Sequence, residues 1–520
     1  MGRERRKALV KYLRVASWIL AAWLLGGALW ELRRNWQGNE IASHPDEAAH
    51  FVTGMMVYDY VRGHLGENPM AFAEQYYARY PKVALGHWPP GYYVVQTAWF
   101  GLVGAGVWQA HALNWALALG FVLTWWWALR GVLGGPLAFG SGAWLLSLPV
   151  LHRCAEFVLS DWGAVLGAWV AGAIWVSGRW PLGLVAAASL AILTKGNAWM
   201  ILPALVLAPV LCGEWKKAPW REVLGIFVLS APFYFWVKAS GLSYPLRNMT
   251  ESDLMAALPK RWLLMRSIWD AAPWMFWAVG AVGFIVGAWY ARGLARRWWA
   301  YSASFVGATL AFLLVSGLSY EDRAVALALP FVGVLGLLPA VIWPGKLGVG
   351  ILALLCLPRG ALEVGTVKGF RGVAAALPAE IRSMLVVSDS VGEGAMVAHV
   401  LESDARREKV VLRGSRILSQ QSWNSRHLTM RYRSAEEIRT VLDSIPVQIV
   451  LLDSTNALPY AEQIRELSKG WSLLERRRSG ARVLEVFAIP GNEGKPLRPF
   501  RMELGLERGG REIVFRPGPL

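Results

Sequence analysis

The stretch His44-Pro45-Asp46-Glu47-Ala48-Ala49-His50 sets two carboxylates side by side shortly after the first apolar run of the chain, residues 15–32. Carboxylates close to a bilayer are costly, and those found there tend to do chemistry. A carboxylate held against an acceptor hydroxyl or amine is a general base. The competing reading is structural: Asp46 and Glu47 would suit the positive end of a helix through residues 48–61. His50 follows one turn later, close enough to orient either carboxylate.

The elements that must position this pair are membrane elements. Of 520 residues, 55% are hydrophobic, only 17% are charged and 30 are tryptophan, with a mean hydropathy of +0.35. That many tryptophans suit membrane interfaces rather than a soluble domain. Long apolar runs alternate with short basic links, which makes this a polytopic α-helical membrane protein. The basic opening, Arg3 to Lys7, precedes an apolar run without a convincing small-residue cleavage site, so an uncleaved first helix is expected. The net charge of +17 lies largely in loops beside spans, where it sets orientation and meets anionic lipid; no nucleic-acid partner is expected. The three cysteines, Cys154, Cys212 and Cys356, fall in or beside apolar runs and suggest packing, not a disulfide framework.

Spans are predicted at residues 15–32, 111–129, 133–151, 162–176, 180–193, 198–211, 223–237, 274–290, 299–318, 324–342 and 347–357. Residues 91–108 are a further apolar run, read as lying along the interface. With the N-terminus inside, that choice makes Arg130, Arg179, Lys216, Lys217, Arg221, Arg292, Arg296, Arg297 and Lys346 cytoplasmic. Lys260, Arg261 and Arg266 fall outside. About eleven spans and an external C-terminus follow.

From about residue 374 the pattern changes. Strands are expected at 384–389, 409–412, 447–453 and 482–489, and helices at 394–402, 435–442 and 461–467. This alternation predicts a small α/β domain, 374–490, with a mostly parallel sheet. The preceding 1–373 form the transmembrane domain with a first external loop at 33–110, and 491–520 a loosely ordered tail. Residues 389–394 resemble a ligand loop at the carboxyl end of a parallel sheet, but lack a glycine fingerprint for nucleotide.

In this topology polar residues gather on the external face. Asp46, Glu47 and His50 lie in the first loop, which also holds Arg79 and Lys82 and ends in His87-Trp88-Pro89-Pro90-Gly91-Tyr92-Tyr93. His111 and Asn114 begin the second span, Asp161 the fourth, Thr194-Lys195-Gly196 ends the fifth, and Tyr320-Glu321-Asp322-Arg323 begins the tenth. An enzyme joining a lipid-phosphate sugar to an acceptor needs such a set. A carboxylate takes the acceptor's proton, and cations neutralise the departing phosphate. Each residue also has a plain reading: Lys195 as a snorkelling helix end, Asp161 as a helix cap, and Arg323 as a partner of Glu321 or Asp322.

The Asp-Glu pair after the first span, the Pro-Pro-Gly-Tyr-Tyr loop end, Asp161 and Leu193-Thr194-Lys195-Gly196 resemble C-type glycosyltransferases in order and spacing. The branch they look most like is family 39, the protein O-mannosyltransferases and the bacterial lipid A aminoarabinose transferase. The resemblance covers roughly residues 10–345 and not the C-terminal domain. It implies that Asp46 matches the catalytic carboxylate and Lys195 a lysine gripping the lipid phosphate. One departure stands out: His87 and Trp88 occupy positions where the aminoarabinose branch carries an acidic residue and a lysine. Lys82 or Arg79 is then the candidate loop contact to phosphate. His87 is a candidate ligand for a divalent metal ion, since imidazole and carboxylate suit such ions, with an ordinary interfacial histidine as the alternative.

The expected function is transfer of a sugar from a polyprenyl-phosphate donor to an extracytoplasmic lipid, glycan or protein acceptor, in a bacterial inner (plasma) membrane. Asp46 and Glu47 are the expected catalytic pair; Lys195, Arg323, Asp161, His50, Lys82 and His111 are the expected substrate-binding residues. Two rival readings use the same residues: a lipid-linked-sugar flippase, whose charges bind but do no chemistry, and an inactive scaffold. The paired repeats and midplane helix breaks common in transporters are not evident here.

Overall fold

The computed structural model describes residues 15, 18–19, 22–30, 33, 40–41, 44–240, 261–316, 322–342, 368–421, 428–455, 458–503, 512–518 and 520. The expected span at 347–357, together with Tyr320, Glu321, Lys346 and Cys356, lies outside them. The chain divides into two compact units, residues 1–36, 88–92 and 112–363 forming one and residues 37–87, 93–111 and 364–520 the other.

The first unit is helical and apolar. Among the described residues, four helices, Val107–Leu133, Trp220–Ser240, Gly293–Val315 and Arg323–Ile342, are individually long and apolar enough to cross a bilayer. The first, at 27 residues, measures about 40 Å at 1.5 Å per residue, against a hydrocarbon core of about 30 Å. A fifth crossing arises if Met265–Ala271 and Trp274–Tyr290, bent by 101°, form one broken span. Pro181–Thr194 and Gly196–Leu211 are shorter apolar helices. Of the expected first span, residues 22–30 are helical. Leu224, Phe227, Val228, Leu229, Phe235 and Trp236 are all exposed on one helix, an apolar coat that lipid accepts and water does not. The chain is an integral membrane protein.

One span differs from expectation. Residues 133–151 form two short helices, Gly135–Leu145 and Pro149–Glu156, instead of one crossing. Pro149 cannot donate to a preceding turn and starts a new helix instead. Tryptophan also does more than line interfaces. Trp169 stacks on Trp125 and Trp298, with ring centroids 4.4 and 5.0 Å apart, and Trp125, Trp162 and Trp169 are fully buried. Close helix packing relies on small residues: a Cβ at Gly283 would collide with the Leu335 carbonyl oxygen.

The second unit contains the α/β domain. Its five-stranded sheet has the order β2-β1-β5-β7-β6, with β1 at Ser383–Val387, β2 at Val410–Arg413, β5 at Ile449–Asp453, β6 at Ser472–Ser479 and β7 at Arg482–Ala488. The β1, β2 and β5 strands are parallel and fully buried, whereas β7 pairs antiparallel with both β5 and β6. The sheet is therefore mixed. Smaller pairs join β3 (Ser419–Gln421) to β4 (Leu428–Met430) and β8 (Phe500–Glu503) to β9 (Glu512–Phe515). The last pair corrects the expectation of a loose tail: alternate apolar residues are buried, and Phe500 stacks on Phe515 at 4.8 Å. Gln75 fastens it by donating to the Val514 carbonyl at 2.9 Å.

The same unit holds the helices Pro45–Gly63 and Pro69–Arg79, which lie in the sequence between the first two apolar spans. Each begins with proline after a side-chain cap. His44 accepts from the Asp46 amide, and Asn68 from the Met70 and Ala71 amides.

Candidate functional site

In the second unit the acidic pair divides in environment. Both residues stand in the first turn of Pro45–Gly63, where the helix dipole favours negative charge. Successive helix positions point about 100° apart, so the two carboxylates face different surroundings. Glu47 turns inward, fully buried, with its Oε1 3.3 Å from His111 Nε2. Asp46 remains partly exposed, its side chain retaining 29% of its accessible surface, with His44 Nδ1 3.8 Å away. One turn on, His50 Nδ1 and the Tyr93 hydroxyl share a hydrogen bond of 3.0 Å. Proximity in sequence points to His50 as an imidazole for a carboxylate; the fold also brings His111, 64 positions beyond Glu47 in number, to Glu47.

Lys82 reaches the start of this helix, its Nζ donating to the Pro45 carbonyl at 3.1 Å. Burial, reinforced by the positive charges of Arg413 and Arg416, lowers its pKa to about 7, against the pull of Asp46 and Glu393. Burial likewise lowers the His87 pKa, with the nearby Asp46 charge acting in the opposite direction. A neutral imidazole is the form a metal ion requires. Among the described residues, however, no group of three or more His, Cys, Asp or Glu could hold a metal ion. His87 therefore stands as a single candidate ligand.

In the first unit, Asp161 opens the Asp161–Ser177 helix with its side chain buried. Lys195, in extended conformation between Pro181–Thr194 and Gly196–Met200, places its ammonium on Asp161 Oδ1. Arg323 Nη1 approaches Oδ2 of the same carboxylate at 3.7 Å. Two cations thus share one anion, and both keep some contact with solvent. The arrangement can hold a further anion such as a phosphate.

Asn114 braces the turn that leads into Asp161. Its Nδ2 donates to the carbonyls of Phe157 and Leu159, the latter at 3.0 Å, and its Oδ1 accepts from Tyr92 at 2.9 Å. In the sequence Asn114 stands at the start of the second span with no task of its own. The partners of its Nδ2 are backbone carbonyls, which leave no signature in residue type.

No protein-family model matches the chain, and no curated protein matches it significantly by sequence. Solved structures do resemble it. The oligosaccharyltransferase of Archaeoglobus fulgidus, in complex with zinc and sulfate, superposes with a TM-score of 0.52 at 12% identity, covering 84% of this chain and 68% of that one. ArnT from Cupriavidus metallidurans, bound to undecaprenyl phosphate, gives a TM-score of 0.44 at 16% identity, covering 91% and 99%. AglB from Archaeoglobus fulgidus, in complex with an inhibitory peptide and a dolichol-phosphate, gives 0.49 at 12% identity, covering 91% and 74%. At such identities the likeness is one of fold: the chain has the C-type membrane glycosyltransferase fold, with an α/β domain toward its C-terminus.

Proposed function

We propose that this protein is a membrane glycosyltransferase that moves a sugar from a polyprenyl-phosphate donor to an extracytoplasmic acceptor. The observation that carries the reading is the division of the acidic pair, with Glu47 buried against His111 and Asp46 partly open to solvent. A buried, paired carboxylate is a poor proton acceptor, whereas an accessible one beside it can act as a general base.

Asp46 removes the acceptor's proton as the acceptor atom bonds to the anomeric carbon. The bond from that carbon to the phosphate oxygen breaks, and the lipid phosphate leaves with the electron pair. Lys195 and Arg323, which share Asp161, supply positive charge where negative charge grows. His50 and His111 hold the carboxylate helix in place, and Lys82 offers the loop's contact to an anionic part of the substrate. Asn114 and Tyr92 keep Asp161 in register.

The chemistry needs a lipid carrier released outside the cytoplasm, so the expected setting is a bacterial inner membrane with the α/β domain extracytoplasmic. The undecaprenyl and dolichol phosphates held by structures of similar fold are the first carriers to try. Purified protein would be incubated with a panel of polyprenyl-phosphate sugars, crossed with lipid, glycan and peptide acceptors. Release of free lipid phosphate together with a glycosylated acceptor is the expected result. Movement of donor across a vesicle membrane without such release would identify a flippase instead.

A further inference from the structure

Gly394 sits inside the Ser390–Ser403 helix of the α/β domain, where glycine is a poorer helix former than alanine. A reason for it lies in the same unit. A Cβ at this position would lie 3.0 Å from the Ala48 Cβ and 2.9 Å from Lys82 Cε. Ala48 directly follows Glu47 in the Pro45–Gly63 helix, so the missing side chain lets the two helices approach at the acidic pair.

The contact does not stand alone. Farther along the Ser390–Ser403 helix, His399 Nε2 accepts from the Ile41 amide at 3.3 Å, and Glu402 Oε1 accepts from the Val107 amide at 2.9 Å. Just beyond its end, Asp404 accepts from the Tyr80 hydroxyl at 2.7 Å. Arg407, held at a φ of 56° that few side chains tolerate, donates to Asp59 Oδ2 at 2.7 Å. Tyr76 donates to the same oxygen at 2.8 Å. One helix and its exit turn thus grip separate segments of the external loop, before, within and after the helix bearing Asp46.

We propose that the α/β domain is the template that sets the Asp46–Glu47 helix, with Gly394 as the principal positioning residue and Asp404 and Arg407 as its anchors. This inference rests on the reading of Asp46 as the base. It assigns the domain a part in turnover even before any acceptor binds.

Two measurements on the full-length protein in nanodiscs test it. The first needs no activity: the Ala48→Cys/Gly394→Cys variant is mildly oxidised, and the crosslinked peptide is sought by mass spectrometry. A disulfide in most molecules is expected, because the two Cβ positions, 3.0 Å apart, need to separate by only about half an ångström to reach bridging distance. Its absence in folded protein overturns the template. The second uses lipid-phosphate release. Gly394→Ala is expected to lower kcat about tenfold with donor KM within about twofold, since a small displacement of a catalytic group is expensive. Adding Ala48→Gly to the same chain, which removes the opposing methyl, should restore most of the loss as a non-additive pair. Parental kcat in Gly394→Ala, or no restoration in the double variant, overturns the positioning role. If the parent protein turns over none of the donors, the proposed function fails, and the crosslink alone decides the template.

Discussion

Glu47 Oε1 and His111 Nε2 stand 3.3 Å apart, and neither side chain is open to solvent. A buried pair of this kind contributes little as a whole, yet removing one member takes a partner from a buried polar group. His111→Ala should therefore destabilise the protein by about 1–3 kcal/mol, read as a lower unfolding temperature in detergent. His111→Gln, which keeps a hydrogen-bond donor, should lose less. Unchanged stability in the alanine variant would show that the pair carries no weight.

Asp46 beside it should behave differently. Asp46→Asn keeps the shape and removes basicity, so turnover should fall by roughly 10² or more while donor binding survives. The contrast with Glu47 is diagnostic, because loss at Asp46 should appear in kcat without a change in unfolding temperature. Near-normal turnover would remove Asp46 from the mechanism.

The acidic pair, Lys195 and the α/β domain were legible in the sequence because each has a local signature. Adjacent carboxylates stand out in an apolar chain, and the fully buried parallel strands read as short apolar runs. What was not legible depended on distant partners or on edges. Asp161, Lys195 and Arg323 could be named one by one, but their sharing of a single carboxylate requires the fold. Strand β6 hid behind Arg476, Arg477 and Arg478, charges that an edge strand tolerates and a buried one does not. The break in residues 133–151 was masked by an apolar run continuing on both sides of Pro149.

Lys82 gives a pH test. Its pKa, lowered from an ordinary lysine value to about 7 chiefly by burial, means that the unfolded chain binds more protons at this site above neutrality. Stability should then rise as pH increases from about 7 toward the ordinary lysine range, with the penalty of the enclosed charge fully present below it. Lys82→Met removes that penalty at every pH. The difference in unfolding temperature between Lys82→Met and the parent should accordingly be largest near pH 6.5 and shrink by pH 9. A difference independent of pH would mean that the ammonium is well solvated.

Topology is testable without any substrate. Ser403 is exposed at the end of the Ser390–Ser403 helix, so Ser403→Cys presents a thiol on the α/β domain. An external domain predicts labelling by an impermeant thiol reagent in intact cells. Labelling only after lysis would place the domain inside, requiring an even number of crossings before it and the run at 91–108 to be one of them.

Lys195 carries the sharpest test of the phosphate reading. Its ammonium rests on Asp161, which Arg323 also approaches, so a purely structural ion pair is the competing account. The two accounts differ in what the donor feels. Negative charge on the lipid phosphate exists in the ground state and grows as the bond to the sugar lengthens, so a cation that meets it serves both binding and turnover. Lys195→Met should raise donor KM and lower kcat together, while Lys195→Arg keeps the charge and should retain part of both. Asp161→Asn separates the accounts further, because it releases the two cations without removing them. Stability should fall in that variant, while donor affinity should be lost less than in Lys195→Met. If Lys195→Met bound and turned over donor like its parent while unfolding at a lower temperature, Lys195 would be only the partner of Asp161, and Arg323 would become the better candidate for the phosphate.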